Sequence, residues 1–353
     1  MAASKSCRKA KTGKRQGLIY HIFILANLER KWIWLRIIHI NPFMKKIAMQ
    51  LLVSFVFASG YSQPAATINL DTASPNSIEY NIPLPNSRSM DDTLYVDPYA
   101  LIAGGSKGIG YAIAEALAKR QYNLILIARH TDSLVAAKNK LESKYHIHVE
   151  ILQYDLSKRE SATEIAKWCS DKNIYLKMLC NVAGFGGSKD YLSLPLDSLR
   201  YMVDLNVESC MALSLTLAPL LEKAAPSYIL NVGSMAGFAP IPIKNMYSAT
   251  KSAVVFFSYS LRYQLKKKNI SVSVLCPGPV YTKPEIEEDT KKKLGWLGKQ
   301  MAVSPKRVGE IAVRQTLNKK MVIIPGTLNK IMAFVVRVLP RRWIVAIYDK
   351  LGG

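Results

Sequence analysis

Tyr247 and Lys251 stand four residues apart in NMYSATKSA, residues 245–253, a stretch that otherwise reads as an ordinary helix. Residues at that spacing share one helical face, so the Lys251 ammonium reaches toward the ring end of Tyr247. A fixed cation favours the phenolate and lowers a pKa near 10 in water, each unit corresponding to about 1.4 kcal/mol. The expected product is an acid or base usable near neutral pH. A lone YxxxK also describes an exposed helix pair. What distinguishes this one is Ser234, thirteen residues earlier at the end of SYILNVGS, whose hydroxyl could hold a carbonyl beside the tyrosine.

A second constellation lies upstream. The apolar run ALIA enters Ala103-Gly104-Gly105-Ser106-Lys107-Gly108-Ile109-Gly110 and then a helical pattern. Glycine permits a tight turn and close backbone approach, and the following helix N-terminus offers unpaired N–H groups to a pyrophosphate. The same letters satisfy G-x-S-x-G around Ser106, the strand-to-helix turn of a serine hydrolase. That enzyme needs an acid and then a histidine downstream, and no histidine follows His148. At the end of the next strand, where NAD-binding folds often carry an acidic residue, the chain has Arg129 and His130. Arginine there suits a 2′-phosphate, and Lys107 adds positive charge nearby, so NADP(H) is expected over NAD(H). Either side chain also reads as merely solvated. Asp155, followed by Leu156, either meets the adenine edge or caps a helix.

Taken together, the motifs resemble those of the short-chain dehydrogenase/reductase family. They are AGGSKGIG (103–110), Asp155-Leu156, NVAG (181–184), Asn206 in DLNVES, Ser234 in NVGSMAG, YSATK (247–251) and PGPVYT (277–282), in the family's order, over about 255 residues. The resemblance implies an enzyme that reduces a ketone or aldehyde to an alcohol, or the reverse, by hydride transfer. In it Tyr247 donates the proton, Lys251 depresses its pKa and bonds the nicotinamide ribose, and Ser234 polarises the substrate oxygen. Asn206 would bind a water linking Lys251 to solvent. The Pro277-Gly278 turn, the backbone near Val280 and the Thr282 hydroxyl would hold the carboxamide. Asn181, Ala183 and Gly184 would stabilise the central sheet and line the cofactor. The chain departs from the pattern at Ala103, usually threonine, and Val182, usually asparagine; both changes are expected to loosen the cofactor site slightly. The competing reading is a sensor or scaffold that binds NADP without turnover.

The elements that must position these residues alternate from Tyr99 onward. Apolar strands (ALIAGG, NLILIAR, HVEILQYDL, KMLCNVAG, SYILNVGS, SVSVLCPGPV, MVIIPG) are separated by amphipathic helices, including a long one running through Asn206. Continuous apolar strands between helices indicate a parallel sheet covered on both faces. The fold class expected is α/β, a doubly wound parallel sheet in one Rossmann-like domain over 99–353, with an N-terminal extension.

That extension has two parts. Residues 1–60 carry 11 basic side chains and one acidic, and residues 61–98 read as a low-order linker rich in Pro, Asn, Ser and Asp. Residues 44–62 resemble a signal peptide, while the apolar stretch before them is broken by Glu29, Arg30 and Lys31 and suits an interfacial helix better than a span. A start at Met44 or later is a further reading. NADPH is a cytosolic reductant, so a cytoplasmic, membrane-associated enzyme is expected, with export through 44–62 left open. The net charge of +23 meets no nucleic-acid module, so nucleic acid is not an expected partner. Five cysteines without a CxxC pair read as reduced core thiols, and no metal site is expected. A homo-oligomer, dimer or tetramer, is expected. Residues 283–302 would form a variable substrate lid. The C-terminal apolar run, interrupted by Arg337 and Pro340, is too short on either side to span a bilayer. It could pack over the cleft, form a subunit contact or lie at a membrane surface. A hydrophobic acyl or lipid-like carbonyl compound would suit it.

Overall fold

A computed structural model describes residues 97–186, 194–282, 298 and 300–352. The chain divides into two units, 1–90 and 91–353, and all described residues belong to the second. The targeting segment, nearly all of the linker and most of the expected lid therefore lie outside the described residues.

Seven parallel strands form one sheet in the order β3-β2-β1-β4-β5-β6-β7. They are β1 (Tyr99–Ala103), β2 (Asn123–Ala128), β3 (Val149–Gln153), β4 (Leu176–Asn181), β5 (Ser227–Val232), β6 (Ile270–Leu275) and β7 (Val322–Ile323). Alternate side chains of a strand face opposite ways, and in β1 and β2 both faces are buried, which is why YALIA and NLILIA read as near-continuous apolar runs. Ala100 and Ile102 of β1 pack on one side with Ile113, Leu134 and Val308. Leu101 and Ala103 pack on the other with Ile165, Leu213 and Leu261.

The first layer is built from α1 (Gly108–Ala118), α2 (Thr131–Tyr145) and, later in the chain, α8 (Pro305–Leu317). The second contains α3 (Ser161–Asp171), then α4 (Leu196–Val203), α5 (Ser209–Thr216), α6 (Ala218–Lys223) and α7 (Asn245–Leu265). Two further helices, α9 (Thr327–Val338) and α10 (Arg341–Gly352), close the chain. Pro340 separates them, and no described helix is long and apolar enough to cross a membrane.

Within the first layer, α8 crosses α1 in close contact. A Cβ placed on Gly309 would lie 2.4 Å from the Ala112 carbonyl oxygen, so the two backbones are in contact. Two expectations are corrected in detail. The long helix through Asn206 is divided, because Asp204–Glu208 forms a π turn between α4 and α5. The seventh strand is only two residues long.

The strand order reverses between β1 and β4, since β1 continues outward to β2 and β3 while β4 starts the other half. In open α/β sheets the crevice at the carboxyl ends of such neighbouring strands is where ligands bind. The glycine loop leaves β1 there, and Val182 to Gly184 leave β4 beside it.

Candidate active site

The glycine loop is fixed from two sides by backbone alone. Gly104 and Gly105 donate to the Ile127 carbonyl of β2 at 2.8 and 3.2 Å, and the Ala103 carbonyl accepts from Val182 and Ala183 at 2.9 and 2.7 Å. These bonds tie the loop to β4 without the hydroxyl that Ala103 lacks. Gly104 has φ +89°, a left-handed conformation that disfavours other residues. At Gly110 a Cβ would meet the Gly104 carbonyl oxygen at 1.9 Å, so the helix starts only because that position is bare.

No side chain caps α1, and its first turn holds no acidic residue. Its leading N–H groups, from Gly108, Ile109 and Gly110, are thus available to an anion, beside the half-buried Ser106 and the exposed Lys107. Thr282 closes this end: its Cγ2 lies 3.2 Å from the Cβ position of Gly108, and its N–H donates to the Val280 carbonyl at 2.8 Å. The donor set fits a dinucleotide diphosphate.

Arg129 is exposed at the end of β2, two residues past the Ile127 carbonyl that holds the loop. It donates to the Tyr201 hydroxyl at 2.6 Å and lies 5.8 Å from that ring's centroid. Tyr201 thus orients the guanidinium, and no sequence motif marked it. Asp155 behaves as a turn cap, its Oδ1 accepting from the Ser157 N–H at 3.1 Å and hydroxyl at 2.8 Å, with Leu156 buried beside it. Asn181 serves the interior. Its amide donates to Ser214 Oγ at 3.0 Å and to Asn231 Oδ1 at 2.9 Å, joining β4, β5 and α5.

The chemistry-bearing groups gather on β5 and α7. Ser234 follows β5 and opens a 3-10 turn, Met235–Phe238, where its Oγ accepts from the Ala236 N–H at 3.1 Å. Lys251 is only 4% exposed and donates its amine to the Val232 carbonyl at 2.9 Å. Its Nζ lies 5.9 Å from the centroid of the Tyr247 ring, on the same face of α7. Burial pulls the Lys251 amine down to about 8, opposed by the Cys210 and Cys276 thiols nearby. Among the described residues these thiols, with Cys169 and Cys180, are free and buried.

The Tyr247 phenol departs from expectation. Burial raises its pKa above 10, and the neighbouring Ser234 hydroxyl only partly offsets this. The Lys251 amine is occupied by a backbone carbonyl rather than by the phenol, so the sequence spacing gave the shared face but not the electrostatic outcome.

Asn206 sits within the π turn, 1% exposed. Its Oδ1 accepts from the Phe185 N–H at 2.7 Å, and its Nδ2 donates to the Phe185 carbonyl at 2.9 Å and to Thr250 Oγ1 at 3.1 Å. A Cβ on Gly184 would fall 3.1 Å from Asn206 Oδ1 and 3.2 Å from Lys251 Nζ, so these two side chains flank Gly184. Sequence reasoning missed Phe185 and the Val232 carbonyl because both partners act through the backbone.

Gly278 packs against Asn329 of α9, its Cβ position 2.5 Å from Oδ1, which brings the turn after β6 under the C-terminal helices. A groove of about 370 Å³ lies nearby, lined by Pro240, Ile241, Asn245, Ser252, Arg341 and Val345. Asn245 and Ser252 share a face of α7 that Tyr247 and Lys251 do not, so this groove is not the reaction cleft.

The model of the family described as short chain dehydrogenase matches residues 98–293, more than half of the chain. The chain belongs to that family. Similar curated proteins include the very-long-chain 3-oxoacyl-CoA reductase of Mus musculus, 32% identical over 200 residues, or 55% of this chain and 64% of that protein. The chain thus spans less than two thirds of the length of the curated relatives it first matches. Among solved structures, the bulky-bulky ketone specific alcohol dehydrogenase from Comamonas testosteroni is 26% identical with a TM-score of 0.57, covering 72% of this chain and 91% of that one. A short-chain dehydrogenase from Sphingobium yanoikuyae in complex with NADPH is 25% identical with a TM-score of 0.58, covering 65% and 88%.

Proposed function

We propose that this protein is an NADP(H)-dependent carbonyl reductase, interconverting a ketone or aldehyde and an alcohol with Tyr247 as the acid and base. The observation that supports it best is the convergence of Ser234, Tyr247 and Lys251, held by one strand end and one helix. A phenol kept neutral by burial is a proton donor in waiting, and Ser234 beside it can bond the same substrate oxygen. The dinucleotide, when bound, supplies the hydride. Lys251, cationic below about pH 8, then stabilises the phenolate left behind and can bond the nicotinamide ribose. Asn206, across Gly184 from Lys251, holds the π turn from which a water could return the proton. The Val280 backbone and the Thr282 hydroxyl would hold the carboxamide.

Arg129 and Lys107 supply positive charge suited to a 2′-phosphate, and the NADPH-bound Sphingobium relative supports the same preference. The substrate class we assign is a hydrophobic acyl or lipid-like carbonyl compound, in keeping with what the mouse and Comamonas relatives are named for. Exposed Leu215, Phe256 and Tyr263 support a homo-oligomer, and exposed Trp343 and Ile347 beside Arg342 and Lys350 support peripheral membrane contact. The enzyme would face the cytosol, where NADPH is supplied; N-terminal sequencing of the mature protein checks this.

The test follows NADPH absorbance with a panel of ketones, aldehydes and 3-oxoacyl thioesters, for the wild type and Tyr247→Phe. Turnover that falls about a thousandfold in the variant is the expected result. Cofactor binding with no wild-type turnover across the panel would favour the sensor.

A further inference from the structure

We propose that Arg337 is a specificity-determining residue that recognises an anionic group, phosphate or carboxylate, on the substrate. The proposal rests on the carbonyl-reductase reading of the site, and it begins from how this arginine is held.

Arg337 belongs to α9, and its guanidinium carbon lies 3.9 Å from the centroid of the Phe238 ring. Phe238 ends the 3-10 turn that Ser234 opens, so the cation is seated on the loop carrying the substrate-polarising hydroxyl. Stacking occupies the flat face of a guanidinium and leaves its in-plane N–H donors directed outward, in the fork that matches carboxylate and phosphate. Arg337 is exposed, and among the described residues no carboxylate pairs with it and no acceptor receives its N–H groups. Arg129 shows the contrast: it too lies over a ring, but it spends a donor on the Tyr201 hydroxyl.

The helix that presents Arg337 is anchored. Asn329, 1% exposed, donates to the Met301 carbonyl at 2.9 Å and to the Pro325 carbonyl at 2.8 Å, fixing the first turn of α9 against the chain after β6. Cys276 Sγ lies 3.2 Å from the Cβ position of Gly233, the residue before Ser234. The Arg337 charge acts on this buried thiol, which also senses Lys251 and accepts a backbone hydrogen bond from Ser234. A substrate with its carbonyl at Ser234 and Tyr247 would therefore pass an oriented, unneutralised cation as it leaves the cleft. A neutral ketone gains nothing from it.

The experiment compares one 3-oxoacyl group in three forms: the coenzyme A thioester, the free oxo acid, and the uncharged N-acetylcysteamine thioester. In Arg337→Gln, kcat/KM for at least one charged form should fall about tenfold or more through KM, while the uncharged thioester changes less than about twofold. Loss confined to the coenzyme A ester identifies phosphate as the group bound, and loss confined to the acid identifies carboxylate. Arg337→Lys, which keeps charge but not the fork, should fall between. Binding of free coenzyme A and of decanoate, measured calorimetrically with NADP+ present, repeats the test without turnover and should weaken about tenfold for at least one. Equal losses on all three forms, or unchanged kinetics and unchanged binding of both ligands, overturn the proposal. A wild type that turns over none of the forms counts against the reductase reading, while the calorimetry still decides on Arg337.

Discussion

Lys251 donates its buried amine to the carbonyl of Val232 at 2.9 Å, two residues before Ser234, so one bond ties the Tyr247 face of α7 to the end of β5. The amine is thereby held 5.9 Å from the centre of the Tyr247 ring, while burial pulls its pKa down to about 8. Position and protonation are set by different partners, and that separation makes the site's acid–base behaviour testable.

Burial pulls the folded Lys251 amine down to about 8, against 10.5 for a solvated lysine. Between these values the unfolded chain binds the extra proton, so stability rises with pH across that window. The full penalty acts below about pH 8 and disappears above about 10.5, and amounts to roughly 3 kcal/mol. Lys251→Met should thus gain stability relative to wild type at pH 7 compared with pH 10, by an amount of that order. Urea unfolding of both proteins, without cofactor, at the two pH values checks it; a gap that does not move with pH would show that the amine is not desolvated.

If Arg129 meets the 2′-phosphate as proposed, replacing it by Gln should raise KM for NADPH about tenfold and leave KM for NADH nearly unchanged, through loss of one charge-assisted contact. Tyr201→Phe should show a weaker version of the same effect, because it frees the guanidinium without discharging it. Steady-state kinetics with both dinucleotides measure this.

Gly110→Ala places a methyl 1.9 Å from the Gly104 carbonyl oxygen. The loop must move, and dinucleotide binding should weaken at least tenfold, read by fluorescence titration. A fold that survives with native affinity would show that the loop is more yielding than its backbone bonds imply.

Asn206→Ala removes three bonds, leaving the Phe185 N–H and carbonyl unpaired beside a buried helix. A loss of about 2 kcal/mol of stability is expected from the unsatisfied groups. A larger fall in kcat than in dinucleotide affinity would separate a proton-return role from a purely structural one.

The sheet was legible because strands buried on both faces favour apolar residues at successive positions, so β1 and β2 announce themselves as apolar runs, while β6 is buried despite alternating with Ser271 and Ser273. The glycine loop and Tyr247 with Lys251 were legible because each requires particular residue types at fixed spacing. What escaped detection depends on the backbone or on distant contacts. The Val232 carbonyl that receives Lys251 could belong to any residue type. Tyr201 reaches Arg129 from 72 positions away. The π turn at Asp204–Glu208 is a one-residue insertion in an otherwise helical period, and no composition marks it. The tyrosine's raised pKa followed from packing density around the ring, a quantity that only the folded chain has.

Gly309 is buried between two helices, and its bare backbone lets α8 nestle against the Ala112 carbonyl of the helix whose leading amides face the crevice. A methyl there would act as a wedge at the outer layer, tilting α1 like a lever about its midpoint and misaiming those amides. Variation at a glycine buried between two helices would then present itself in the laboratory as a cofactor defect.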